Sequence, residues 1–255
     1  MKKVPVGMSV LSLALKEICR DGKNRRNRGL PIPPLLLPLD SGNGRTTVLH
    51  YIADIFEESG RLEFKNLDRV FELELSLNES SSFEDAIDEV FYRIDSMCVY
   101  SNPIDGFDGV IAIDISNLEE YTDESAIKIF AKNIQLRRKN TAFVFFVSSE
   151  ISADTKNMIT KLQKYMPSVR LINLQDYSVS NLTRIAERIS FKYGVTLESD
   201  ETRVALKKFI SDCDIDSVQF LENLVCEIIM TMNNSDVLTT ETIKNLHSYI
   251  KGGKQ

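Results

Sequence analysis

The amino-acid sequence predicts an α/β fold, a parallel sheet with helices on both faces, followed by an all-helical region. Three observations carry this expectation. Five short apolar runs alternate with stretches of helical spacing up to about residue 174. From Val179 onward the helical spacing continues with no strand-like run between segments. The 255 residues are 43% hydrophobic, enough to bury a sizeable core, yet no apolar run reaches the roughly 18–20 residues of a membrane span.

Taken in order, residues 8–20 have the spacing of a short helix. The segment MSVLSLAL (8–15) runs into Lys16, Glu17 and Arg20 with no small-residue cleavage site, so a helix is expected there rather than an export signal. DGKNRRNRGLPIPP (21–34) reads as an irregular connection, and PLLLPLD (34–40) as a buried strand bounded by turn residues. A helix is expected from Thr46 to Glu58, with Val48, Ile52, Ile55 and Phe56 on one face. RVFELELS (69–76) alternates apolar and acidic residues, as a strand with one less buried face does. Ser82 and Asp85 open a helix over 82–97 as a capping-box-like pair.

GVIAIDI (109–115) is the next strand, followed by a helix at about 123–138 and the β-rich run TAFVFFVSS (141–149). A helix over 153–165 and a fifth strand, VRLINL (169–174), complete the alternation. Helices are then expected at about 179–193, 200–212, 215–233 and 240–250. The expected organisation is an N-terminal helix and basic segment (1–29), an α/β domain (30–177) and a helical domain (178–255). No internal repeat is visible.

The charge of −6 is unevenly placed. The first thirty residues hold eight lysines and arginines against Glu17 and Asp21, leaving +6, so residues 31–255 carry −12. Lys23, Arg25, Arg26 and Arg28 form the dense part, read here as a mobile basic arm rather than a helix face. Such a stretch suggests an anionic partner or an intramolecular contact, with a merely solvated loop as the alternative. As partners, nucleic acid and an acidic protein surface such as residues 79–95 of a neighbouring copy are considered, the latter preferred because the chain is acidic overall. The four cysteines (19, 98, 213 and 226) lack CxxC spacing. Reduced thiols and a cytoplasmic location are expected, with neither a disulfide framework nor a zinc site. His50 and His247 are far apart and are expected to be structural or exposed. Tyr51, Phe56, Phe64, Phe71 and Phe91 fall at core spacing rather than forming a base-stacking platform.

Ligands of an open parallel sheet sit beyond the C-terminal strand ends. The loop after the first strand reads LDSGNGRTT (39–47). A phosphate-cradling loop needs glycines to turn backbone N–H groups toward the anion, a helix N-terminus, a cation for the outer phosphates and a hydroxyl for magnesium. Gly42, Asn43 and Gly44 supply the turn, Thr46 the hydroxyl, and Thr47 continues into the helix. Leu39 and Arg45 depart from G-x-x-x-x-G-K-[ST] at its first glycine and its lysine. Asp114, ending an apolar strand, is a second candidate magnesium ligand beside Thr46. Ile115 stands where a hydrolase places the glutamate that polarises water, and Ser148 and Ser149 end the next strand. A plain strand-to-helix turn at 39–47 and a helix-capping Asp114 are the structural alternatives.

In this order the motifs resemble an AAA+ ATPase module over about residues 30–250. LQDYSVSNL (174–182) is similar to the F-x-D-Y-[ST]-x-x-E-L segment of the Clp-type and Rubisco-activase-like branch. The resemblance implies a five-stranded P-loop sheet of order 5-1-4-3-2 with a helical lid, ATP or ADP with magnesium as the ligand, and assembly with itself or with AAA+-like subunits. Carried onto this chain, it puts Ser148 or Ser149 at sensor 1, Gln219 at the sensor 2 arginine and Lys164 at the arginine finger. A finger contributes roughly 10³–10⁵ in rate and a general base roughly 10²–10⁴. With Arg45, Ile115, Gln219 and Lys164 all altered, the expected function is a scaffold, adaptor or regulatory module with weak or no ATP hydrolysis. The alternatives are a slow ATPase that draws on Glu119 or Glu120, and a nucleic-acid-handling module that uses the basic segment.

Overall fold

The computed structural model describes residues 4–64, 69–75, 82–97, 107–120, 124–174, 177–213, 215, 217–232 and 235–245. The chain divides into two compact units, one of Met1–Asp40 and Arg45–Leu174, the other of Ser41–Gly44 and Gln175–Gln255. The first contains α1 (Ser9–Ile18), α2 (Gly22–Asn27), β1 (Leu35–Pro38), α3 (Arg45–Glu58), β2 (Val70–Glu74), α4 (Phe83–Met97), β3 (Gly109–Asp114), a 3-10 turn Ser116–Glu120, α5 (Glu124–Arg137), β4 (Thr141–Val147), α6 (Ala153–Tyr165) and β5 (Arg170–Leu171). The second contains α7 (Val179–Lys192), β6 (Thr196–Leu197), α8 (Asp200–Asp212), α9 (Val218–Met230) and β7 (Val237–Leu238). Residues 240–245 are also helical.

The five strands of the first unit pair in the order β2-β3-β4-β1-β5, every pair parallel. Read from the other edge this is the expected 5-1-4-3-2. The central strands are buried apart from Asp114 at the end of β3, β4 over all seven residues, which is why they read as continuous apolar runs rather than alternating ones. β2 is an edge strand, and its exposed Glu72 and Glu74 account for the acidic alternation.

Strand side chains alternate between the two faces. Leu36, Ile111, Ile113, Ile115, Phe143, Phe145 and Val147 pack in one cluster with α4, α5 and α6. Val110, Ala112, Asp114, Val144 and Phe146 take the opposite phase, toward α3. On that side the Tyr51 hydroxyl of α3 donates to Ser12 Oγ of α1 at 3.0 Å, and Leu11, Leu15 and Ile18 of α1 are buried. Helix α4 opens with the expected reciprocal cap: Ser82 N–H donates to Asp85 Oδ2 at 2.9 Å, and Asp85 N–H to Ser82 Oγ at 3.2 Å.

Three readings of the sequence need correction. The segment 21–34 is not irregular throughout, and its basic residues are no loose arm: Lys23, Arg25 and Arg26 lie on α2, with Arg28 at its C-cap. Gly29, at φ +66°, closes α2 by donating to Arg26 O at 2.8 Å while Leu30 N–H donates to Arg25 O at 3.0 Å, the paired bonds of a Schellman turn. So short a helix shows no apolar periodicity to reveal it. The fifth strand covers Arg170–Leu171 only rather than 169–174, because it borders a single neighbour, β1. The region after residue 178 is not wholly helical, since β6 and β7 form a parallel pair of two residues each. Two residues are too few for periodicity to mark. Cys98 and His247 lie outside the described residues. Cys19 is buried and Cys213 and Cys226 half-buried, and none of the three is in a disulfide. No helix among the described residues is long and apolar enough to cross a membrane.

The approach of α2 to the end of α3 leaves no room for a side chain at Gly22: a Cβ there would stand 2.6 Å from Ser59 O. Gly22→Ala is therefore expected to cost about 1–3 kcal/mol, read as a lowered midpoint in urea unfolding, despite the better helix propensity of alanine.

Candidate phosphate-loop site

In the first unit the candidate site is built at the C-terminal ends of β1, β3 and β4. Arg45 is the first residue of α3. A cation there is opposed by the positive end of the helix dipole, by about 0.3–1 kcal/mol. Three contacts offset this. Its Nε donates to Leu39 O at 2.7 Å, its Nη1 donates to Asp114 Oδ2 in an ion pair, and its guanidinium lies 4.6 Å from the centroid of the Phe146 ring. Only 13% of the Arg45 side chain is exposed. Asp114 and Phe146 are register partners on β3 and β4, so one sheet position supplies both the anion and the aromatic face.

Both carboxylate oxygens of Asp114 are taken. Oδ2 accepts from Arg45, while Oδ1 accepts from Ser116 N–H at 3.0 Å and Ser116 Oγ at 2.7 Å. Burial alone would raise its pKa, but the hydrogen bonds from Ser116 and Arg45 and the arginine charge prevail and hold it below the ordinary value. Thr46 is exposed, and its hydroxyl donates to Glu72 Oε1 at 2.8 Å; Thr47 is exposed beside it. Ser148 is half-buried at the end of β4. Ser149 donates its N–H to Asp40 Oδ1 at 3.0 Å and its hydroxyl to Asp40 Oδ2.

Ile115 is fully buried in the cluster with α4, α5 and α6. Asp114 and Ile115 are successive residues at a strand end, so when Asp114 faces Arg45 its neighbour faces the other side of the sheet. Glu119 and Glu120 lie in the 3-10 turn that follows. Lys164 pairs with Glu124 of its own chain, and the Tyr165 hydroxyl donates to the same Glu124 oxygen at 2.5 Å. These hydrogen bonds, Lys164 first, hold Glu124 below its ordinary pKa. At 63% exposure the Lys164 ion pair is a weak one.

In the second unit the glycine loop is bonded to the start of α9. Gly42 and Gly44 both have φ +83°, a left-handed conformation that glycine adopts without strain. Gln219 N–H donates to Gly42 O at 3.0 Å, Val218 N–H to Asn43 Oδ1 at 3.2 Å, and the Tyr177 hydroxyl to Asn43 O at 3.3 Å. Burial pushes the Tyr177 phenol up. The first two N–H groups of α9, without partners inside the helix, thus find loop oxygens. The Ser217 hydroxyl accepts from Phe220 N–H at 3.1 Å as its N-cap, and the Gln219 side chain reaches Asn223 at 3.5 Å.

Asp40, Glu72, Ser116 and Phe146 belong to this arrangement and were not singled out in the sequence. Asp40 precedes the glycine loop and Ser116 follows Asp114 by two residues, the spacing of a local side-chain turn, so both were open to notice. Glu72 and Phe146 are brought in only by the placement of the strands. His50 is exposed, Tyr51, Phe56 and Phe91 are buried, and Phe64 and Phe71 are half-buried. No group of three or more His, Cys, Asp or Glu residues suited to a metal ion occurs among the described residues.

No protein-family model matches the chain, and no curated protein does. Solved structures do match. The RuvB Holliday junction branch migration motor of Thermotoga maritima superposes with TM-score 0.63 at 14% identity, covering 96% of this chain and 70% of that one. A FIGL-1 AAA domain gives TM-score 0.58 at 14% identity, over 96% and 81%. The fold is that of an AAA+ ATPase-like module. Domain III of the Thermotoga maritima replication initiation protein DnaA superposes at TM-score 0.51 and 14% identity, over 89% of this chain and 85% of that one. At these identities the likeness carries the fold alone.

Two outcomes test the site. Asp114→Asn removes the charge that answers Arg45 and is expected to cost about 1–3 kcal/mol at neutral pH. Because the folded-state pKa of Asp114 is depressed below 3.8, this contribution is complete above that value and lost as pH falls through the folded pKa. Urea unfolding of wild type and variant should therefore differ by a constant amount above about pH 5 and converge in stronger acid. Ile115→Glu, which supplies the glutamate that the resemblance expects there, places a carboxylate in an apolar cluster. It should lower stability by about 3 kcal/mol or more and yield no ATP turnover in a coupled assay.

Proposed function

We propose that this chain is a catalytically impaired AAA+-like module, working as a scaffold, adaptor or regulatory subunit of a protein assembly with weak or no ATP hydrolysis. The observation that carries the reading is the Arg45–Asp114 pair. The two side chains that the resemblance assigns to phosphate and magnesium neutralise each other, and Arg45 is further held by Leu39 O and Phe146. As arranged, the residues do not fit a magnesium–nucleotide pair. Asp114 has both oxygens engaged, and the Thr46 hydroxyl donates to Glu72. The planar guanidinium also differs from the compact ammonium that a tight phosphate loop accommodates.

The other altered positions support the same reading. Ile115 faces the core, Gln219 brings no charge, and Lys164 is paired within its own chain. Under this proposal residues 30–177 form the nucleotide-binding-type domain and 178–255 its lid. The resemblance assigns Gly42, Asn43, Gly44, Arg45, Thr46 and Thr47 to the phosphate loop, Ser148 to sensor 1 and Gln219 to sensor 2. The Clp-type and Rubisco-activase-like branch is proposed on residues 174–182 alone.

Purified protein is expected to turn over ATP at no more than the background rate in a phosphate-release assay with magnesium. A magnesium-dependent rate near 1 s⁻¹, within the common enzyme range of about 1–10³ s⁻¹, and abolished by Asp114→Ala, would overturn the proposal.

A further inference from the structure

Helix α1 and the α2 segment form a corner with a surplus of positive charge. Lys16, Arg20, Lys23 and Arg28 are exposed there and have no ion pair among the described residues. Arg25 and Arg26 are spoken for, by Ile18 O at 3.3 Å and by Glu63. Beneath them Arg61, 3% exposed, donates to Leu30 O at 2.5 Å and keeps its Nε without a hydrogen-bond partner. The corner also exposes apolar surface: Leu13, at 67%, shares a helical stripe with Lys16 and Arg20, and Leu30 is exposed beyond α2. The fold holds these cations together without a neutralising group from its own core.

A complementary surface exists in the same unit. Helix α4 exposes Glu84, Asp85, Asp88 and Glu89, of which Glu89 pairs with Arg93 and Asp85 with Ser82. Glu84 and Asp88 have no ion pair among the described residues, and Tyr92, 74% exposed, lies one turn beyond Asp88 on the same stripe. The two surfaces cannot meet within one molecule. The sheet lies between them, α1 and α2 packing with α3 on one face and α4 with α5 and α6 on the other.

We propose that the Lys16–Arg20–Lys23–Arg28 corner docks on the Glu84–Asp88–Tyr92 face of a second copy of this chain. The contact is heterologous, each copy offering one surface of each kind, so that it propagates into a ring or a filament. Charge complementarity sets the register and rate of encounter, and Leu13 and Tyr92 supply apolar area at the centre. A nucleic-acid occupant is disfavoured by residues 31–255, whose charge of −12 repels a polyanion. The inference rests on reading the chain as an assembling module. It is independent of nucleotide turnover, so the two can fail separately.

The test uses sedimentation velocity on the full chain at micromolar concentration, in about 50 mM and about 500 mM salt, where screening lengths differ roughly threefold. Wild type should be oligomeric at low salt and dissociate at high salt. Lys16→Glu/Arg20→Glu/Lys23→Glu and Glu84→Lys/Asp88→Lys should each weaken self-association at least tenfold. An equimolar mixture of the two variants should associate again, which also shows that both are folded. A wild type that is monomeric at low salt, or a mixture that stays monomeric, would overturn the inference. So would a basic-corner variant that assembles normally but no longer binds a labelled oligonucleotide that wild type binds.

Discussion

The Arg45–Asp114 pair is the interaction around which the strand ends are organised. It joins the first residue of α3 to the last residue of β3, and through Leu39 O it ties both to the exit of β1. Neither charge is comfortable alone: the arginine opposes the helix dipole, and the carboxylate is half removed from water. Together, with Ser116 and Phe146 completing the set, they form a neutral cluster at the strand ends. The sheet around it has the strand order of an AAA+-like fold.

Much of the fold was legible in the sequence because its signals were long. Runs such as TAFVFFV and GVIAID are short, rich in β-branched and aromatic residues and bounded by turn residues, which marks them as buried strands, and the helical stretches between them point to parallel pairing. What escaped was short. Helix α2 and the β6–β7 pair have too few residues for any period to register; local backbone bonds at Gly29 close α2, while β6 and β7 are joined by bonds between segments distant in sequence. The glycine loop and Asp114 were equally legible as residues. Their relationship was not, because which residue stands opposite Asp114 depends on the register between β3 and β4, and Phe146 is one of three phenylalanines in that strand.

Ile115 shows the limit of reading motifs as strings. In sequence it sits where a glutamate would act, so its replacement looks like the loss of one group. In the fold it is a core residue, packed with α4, α5 and α6, and the alternation of the strand aims it away from Arg45. The substitution and the packing are one fact rather than two.

That alternation also has a consequence for the paths open to this sequence over time. A change at Arg45 strands Asp114 without its counter-charge, and an acid at position 115 enters the apolar cluster packed with α4, α5 and α6. Each step taken singly passes through a less stable protein. The strand end is thereby held to its present composition by the molecule's own stability.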